Sequence, residues 1–99
     1  IHVYTLCKII DLVCKKKING TYNVGAKDSV SKYEYAVFLA KELNLNPNLI
    51  KKGLSKTDVT KRPSDMRMNV KKFEQDFDYQ MTSMYDELLN NIKDYKKYE

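Results

Sequence analysis

Tryptophan is absent from these 99 residues, glycine occurs three times, proline and cysteine twice each, and histidine once. Each scarcity excludes something. Three glycines leave no room for a Gly-x-Gly-x-x-Gly turn, so the chain carries no dinucleotide-binding fingerprint of its own. With His2 alone and no Cys-x-x-Cys, the ligand set for a zinc centre is missing. His2 also sits at a chain end, in what reads as an extended segment, so no serine or cysteine nucleophile finds a base there. Cys7 and Cys14 lie seven apart on one helical pattern, about 10 Å along its axis and out of disulfide reach. Two buried thiols in a reducing cytoplasm are expected. No apolar run approaches the ~20 residues that span a bilayer, and no signal-peptide pattern opens the chain. A soluble cytoplasmic protein is therefore expected, and the entry into a helical pattern straight from Ile1 suggests a piece of something longer.

The net charge of +5 and pI of about 9.1 come almost wholly from lysine. Only Arg62 and Arg67 offer the planar fork that reads guanine or grips a pyrophosphate, and the lysines are scattered along every segment. A solvated lysine surface follows, rather than a nucleic-acid patch.

What is present suits one small domain, at 42% hydrophobic content. After an extended start at Ile1–Tyr4, Thr5 is placed to cap a helix reaching about Lys16, with Leu6, Ile9, Ile10 and Val13 on one apolar face. "TYNV" (21–24) reads as a short strand stopped by Gly25. In "SVSKYEYAVFLAKELNL", Ser31 and Glu34 make a capping box, Ala36, Leu39, Ala40 and Leu43 recur at helical spacing, and Asn44 is a left-handed stop. Asn46 and Pro47 open one further turn. Residues 51–68 hold no period, and aperiodic segments this long in compact domains are usually functional or disordered. Asn69 caps a short helix through Phe77. Ser83 and Asp86 form a second capping box for a terminal helix striped by Tyr85, Leu88, Leu89, Ile92 and Tyr95. Tyr22, Tyr33, Tyr35, Phe38, Phe73, Phe77 and Tyr85 fall mostly at core-facing positions, as packing first and stacking platforms second.

Three motifs invite chemistry. Tyr4 and Lys8 have the Tyr-x-x-x-Lys spacing that lets a lysine lower a tyrosine's pKa on one helix face. "GTYNVGAKDS" has the two glycines of a phosphate loop, but Ala26 stands where its lysine belongs. In "KRPSD", within the aperiodic segment, Arg62 can grip a phosphate with both arms, Pro63 fixes the backbone that aims it, and Asp65 can accept from ribose hydroxyls. A plain surface Arg–Asp pair is the other reading of that motif.

Taken in order, "IHVYTLC", "GTYNVGAKDSVSKYEYAVFLAKELNL", "KRPSDMRMNVKKF" and the closing amphipathic helix resemble the C-terminal part of the extended short-chain dehydrogenase/reductase family, over nearly the whole chain. The resemblance implies an α/β parent with an NAD(P)-binding Rossmann-like part upstream of Ile1. Residues 1–99 would be its single substrate-binding segment, mostly helices with one or two short strands. It implies a nucleotide-sugar substrate, NAD(P)H held by the upstream part, and no catalytic, cofactor or metal residue in this chain. Arg62 and Pro63 would meet the diphosphate and Asp65 the nucleoside. Tyr4 and Lys8 match a structural element lying well after the family's catalytic pair, so their spacing is coincidental. The branch that reduces 4-keto nucleotide sugars is the expected one, with an epimerase or dehydratase of the same family, or a non-catalytic protein-binding module of this fold, as alternatives. Expected partners are the sugar nucleotide, the chain's own N-terminal Rossmann domain and a possible second copy, with no nucleic acid and no membrane.

Overall fold

A computed structural model describes residues 1–54, 63 and 65–96. Five helices carry the described part: α1 (Val3–Lys16), α2 (Lys32–Glu42), α3 (Lys71–Phe77), α4 (Met84–Asn90) and α5 (Ile92–Lys96), with a 3-10 turn at Pro47–Leu49. No described residue is in a strand. None of the described helices is long and apolar enough to cross a membrane.

Local chemistry sets most of the boundaries. Ser31 accepts from the Glu34 N–H and the Glu34 carboxylate accepts from the Ser31 N–H, the reciprocal box the sequence predicts. Asn44 takes the left-handed conformation, and Asn46 caps the Pro47 turn. Asp78, also left-handed, ends α3. Helix α1 departs from expectation at its start. Its cap is His2, whose Nδ1 accepts from the Tyr4 N–H, because the Thr5 hydroxyl is drawn off to Glu87 at 2.8 Å. The extended start at Ile1–Tyr4 is thereby shortened to two residues. The expected terminal helix is also divided: the Asn91 side chain donates to the Glu87 carbonyl at 2.7 Å and competes with the helical ladder, so α4 ends and α5 begins.

The main core is Ile9 of α1 with Val70, Phe73, Phe77 and Met81. Phe73 and Phe77 stack at 4.6 Å, and Tyr22 meets both edge-on. That contact explains why 21–24 is not a strand. Instead of a ladder partner, the segment has one anchored ring: the Tyr22 hydroxyl donates to Asp76 at 2.8 Å, and the Lys72 ammonium lies 3.8 Å from the ring centroid. A second, smaller core joins α2 to α4, with Ala40 and Leu88 buried and Phe38 edge-on to Tyr85 at 4.5 Å.

Both cysteines are exposed, contrary to expectation. Helix α1 is apolar around more than half its circumference, and the core covers only the arc bearing Ile9, Leu12 and Val13. Leu6, Ile10, Cys7 and Cys14 lie outside that arc and face solvent.

Glu87 links the two cores. Its carboxylate is buried and accepts from the His2 N–H at 2.6 Å and from the hydroxyls of Thr5 and Thr82. Burial pushes its pKa up, but these donors, led by Thr82, outweigh it and hold the carboxyl below its ordinary value. A lowered folded value stabilises the fold above the unfolded pKa near 4.5, and that contribution is lost as pH falls through the folded value. Glu87→Gln should therefore cost about 1–3 kcal/mol at pH 7, by removing the charge and replacing one acceptor oxygen with an amide N–H that faces a donor. In urea unfolding, the gap to the parent chain should narrow below pH 4.5. Phe73→Ala should cost about 3–5 kcal/mol by the same measurement, whereas Leu49→Ala, at a side chain 79% exposed, should stay within about 0.5 kcal/mol.

Candidate functional site

An open groove of about 710 Å³ lies among the described residues. One wall is the coil from Val24 to Ser31 with the first turn of α2. The other is Asp65–Met68, with Ile1 and Met84 at one end. Gly25 is buried against the second wall, where a Cβ would stand 3.0 Å from the Met68 methyl. A side chain at position 25 would press on that methyl, the far end of a flexible methionine that is 54% exposed and can shift to make room.

The polar groups of the groove are mostly acceptors. Asp28 takes the Met84 N–H at 2.7 Å, which pins the coil to α4. Glu34 is held below its ordinary pKa by the Ser31 backbone N–H and then by the Ser31 hydroxyl. Asp65 is gripped by Arg67: Nε lies 2.9 Å from each carboxylate oxygen, Nη2 lies 2.5 Å from Oδ2, and the Arg67 backbone N–H reaches Oδ1 at 3.0 Å. The side-chain bonds of that fork hold the Asp65 carboxyl down to about 2. Three carboxylates against one guanidinium make the described lining acidic. Such a surface accepts hydrogen bonds from ribose or sugar hydroxyls and repels a phosphate.

Of the residues singled out in the sequence, Asp65 lines the groove, Pro63 is exposed, and Arg62 lies outside the described residues. Tyr4 and Lys8 are exposed on α1 and line no part of the groove. Gly20 and Gly25 cradle nothing: Gly20 has φ +147° with Tyr22 packed against it, and Gly25 faces Met68. Neither opens a helix from a strand among the described residues.

Sequence reading left Arg67, Ser29 and Glu34 out of the site. Arg67 carried a signal: it is one of only two arginines and lies two residues after Asp65, close enough to neutralise it. Ser29 carried none, because only the folded coil brings it opposite Asp65–Met68. Comparisons with known proteins give no matching family model, no matching curated protein and no matching solved structure.

The Asp65–Arg67 fork is exposed on both sides, and it is testable by titration. In carbon-detected NMR the Asp65 carboxyl should titrate with a midpoint of about 2, and Arg67→Ala should return it to the ordinary aspartate value of 3.8. A midpoint near 3.8 in the unsubstituted chain would show that the fork does not persist in solution.

Proposed function

We propose that this chain is the substrate-binding part of an NAD(P)-dependent nucleotide-sugar reductase of the dTDP-4-dehydrorhamnose reductase kind, acting in the cytoplasm. The observation that supports this reading is a convergence. Two of the segments that carry the family resemblance contribute opposite walls of one groove: residues 24–34 on one side and Asp65–Met68, some 30 residues further along the sequence, on the other.

Each part of such a ligand has a chemical counterpart. Asp65, Glu34 and the Ser29 and Ser31 hydroxyls offer hydrogen-bonding partners to sugar and ribose hydroxyls. Met66 and Met68, 71% and 54% exposed, offer polarizable surface to a base. The acidic lining leaves the diphosphate to Arg62, three positions before the groove's second wall begins at Asp65, with Pro63 aiming its fork. NAD(P)H supplies the hydride in enzymes of this class and is held by another part of the protein, as is the proton donor. The role of this chain's own residues is to bind and orient the sugar nucleotide.

A second reading, a non-catalytic interaction module, is favoured by the exposed apolar face of α1. The two are separated by ligand binding. Titrating the 15N-labelled chain with dTDP-glucose should shift amide signals of 24–31 and 65–68 and leave those of α1 unmoved. Arg62→Ala should weaken that binding at least tenfold, and in the assembled enzyme it should raise KM for the sugar nucleotide with NADPH binding unchanged. Absence of shifts at millimolar ligand, or an affinity indifferent to Arg62, would overturn the assignment.

A further inference from the structure

Helix α1 leaves an ordered apolar stripe in solvent. Val3 is 60% exposed, Leu6 38% and Ile10 54%, and Cys7 and Cys14 are exposed beside them. At about 100° per residue these five side chains fall within one third of the helix circumference. Their spacing is the 4-3-4 alternation of a helix–helix seam: Val3, Cys7, Ile10, Cys14, with Leu6 and Val13 on one flank and Tyr4 and Asp11 on the other. Lys8 and Lys15 lie further round on the Tyr4 side, off the seam.

The surplus extends to the whole chain. Its accessible surface is 8324 Å², against about 5,800 Å² for a folded monomer of this mass. Its radius of gyration is 16.4 Å, against about 13 Å for a compact domain of 100 residues.

We propose that the exposed face of α1 is a two-fold interface with a second copy of this chain, the two α1 helices packing antiparallel. The residue sizes select the second copy and its direction. Antiparallel packing sets Val3 on the partner's Cys14 and Cys7 on the partner's Ile10, so that every layer joins a larger side chain to a smaller one. The same register lays Tyr4 beside the partner's Asp11, a hydroxyl donor against a carboxylate. On the other flank it lays Leu6 beside the partner's Val13, apolar on apolar. A parallel pair does neither: it sets Ile10 on the partner's Ile10, leaves a thin layer at Cys7, and places Leu6 beside the partner's Asp11.

The six exposed side chains Val3, Tyr4, Leu6, Cys7, Ile10 and Cys14 present on the order of 500 Å² per copy, so the pair buries about 1,000 Å², the threshold for a specific interface. The pairing leaves the groove open, since none of these six residues lines it.

Sedimentation equilibrium on the full chain tests this. The unsubstituted chain should fit a monomer–dimer equilibrium, and Ile10→Lys should raise its dissociation constant at least tenfold with unchanged far-UV circular dichroism, because Ile10 carries little of the core. Leu54→Lys, at a leucine 91% exposed elsewhere on the surface, should change nothing. The register is read by oxidising a Val3→Cys, Cys7→Ser variant with copper phenanthroline. Antiparallel packing joins position 3 to the partner's Cys14, and peptide mass spectrometry identifies the bond. A monomer at all concentrations, open-ended association, a dimer insensitive to Ile10→Lys, or like-to-like disulfides would each overturn the proposal.

Discussion

One buried carboxylate holds the described structure together. Glu87 accepts the His2 N–H from the start of α1, the Thr5 hydroxyl one turn further on, and the Thr82 hydroxyl from the segment entering α4. The core around Phe73 and Phe77 and the one between α2 and α4 are each too small to stand alone, and Glu87 is the polar joint between them. It also fixes the groove from behind. Ile1 and Met84 close one end of that groove, and both sit next to groups that Glu87 or its neighbours hold. A charge can serve as such a joint because all its donors come from backbone or hydroxyl groups already fixed in place, so little side-chain freedom is lost in meeting it.

How much of this was legible in the sequence depended on the range of the interaction. The Ser31–Glu34 box, the Asn44 stop and the Asn46–Pro47 turn are settled within four residues, and they form as their letters predict. Thr5 is a good capping residue in isolation, yet Glu87, 82 positions away, takes its hydroxyl. "TYNV" has strand-forming letters, but the strand needs a neighbour to pair with, and the Phe73–Phe77 stack offers Tyr22 a better place than any ladder. The cysteines were expected inside because the apolar arc of α1 is wide; nothing local says how much of that arc the fold covers.

The groove shows the same division. Asp65 was readable as a ligand acceptor from "KRPSD", and it does line the cavity. Its pairing with Arg67 is equally local, two residues along the chain, and holds its carboxyl further below the ordinary aspartate value. The opposite wall, from Gly25 to Ser31, could not be assigned to the site from spacing alone, because some 35 residues separate it from its counterpart.

The flattened shape of the chain, 47 by 36 by 19 Å, carries a thermal consequence. Heat-capacity change and denaturant sensitivity both scale with the surface that unfolding exposes. A chain that leaves so much surface wet while folded has less to uncover, so its stability curve is shallow and broad, with little gain on cooling and a gradual melt. Whatever covers the bare face of α1 adds the missing area, and with it the curvature and sharpness of a well-packed domain.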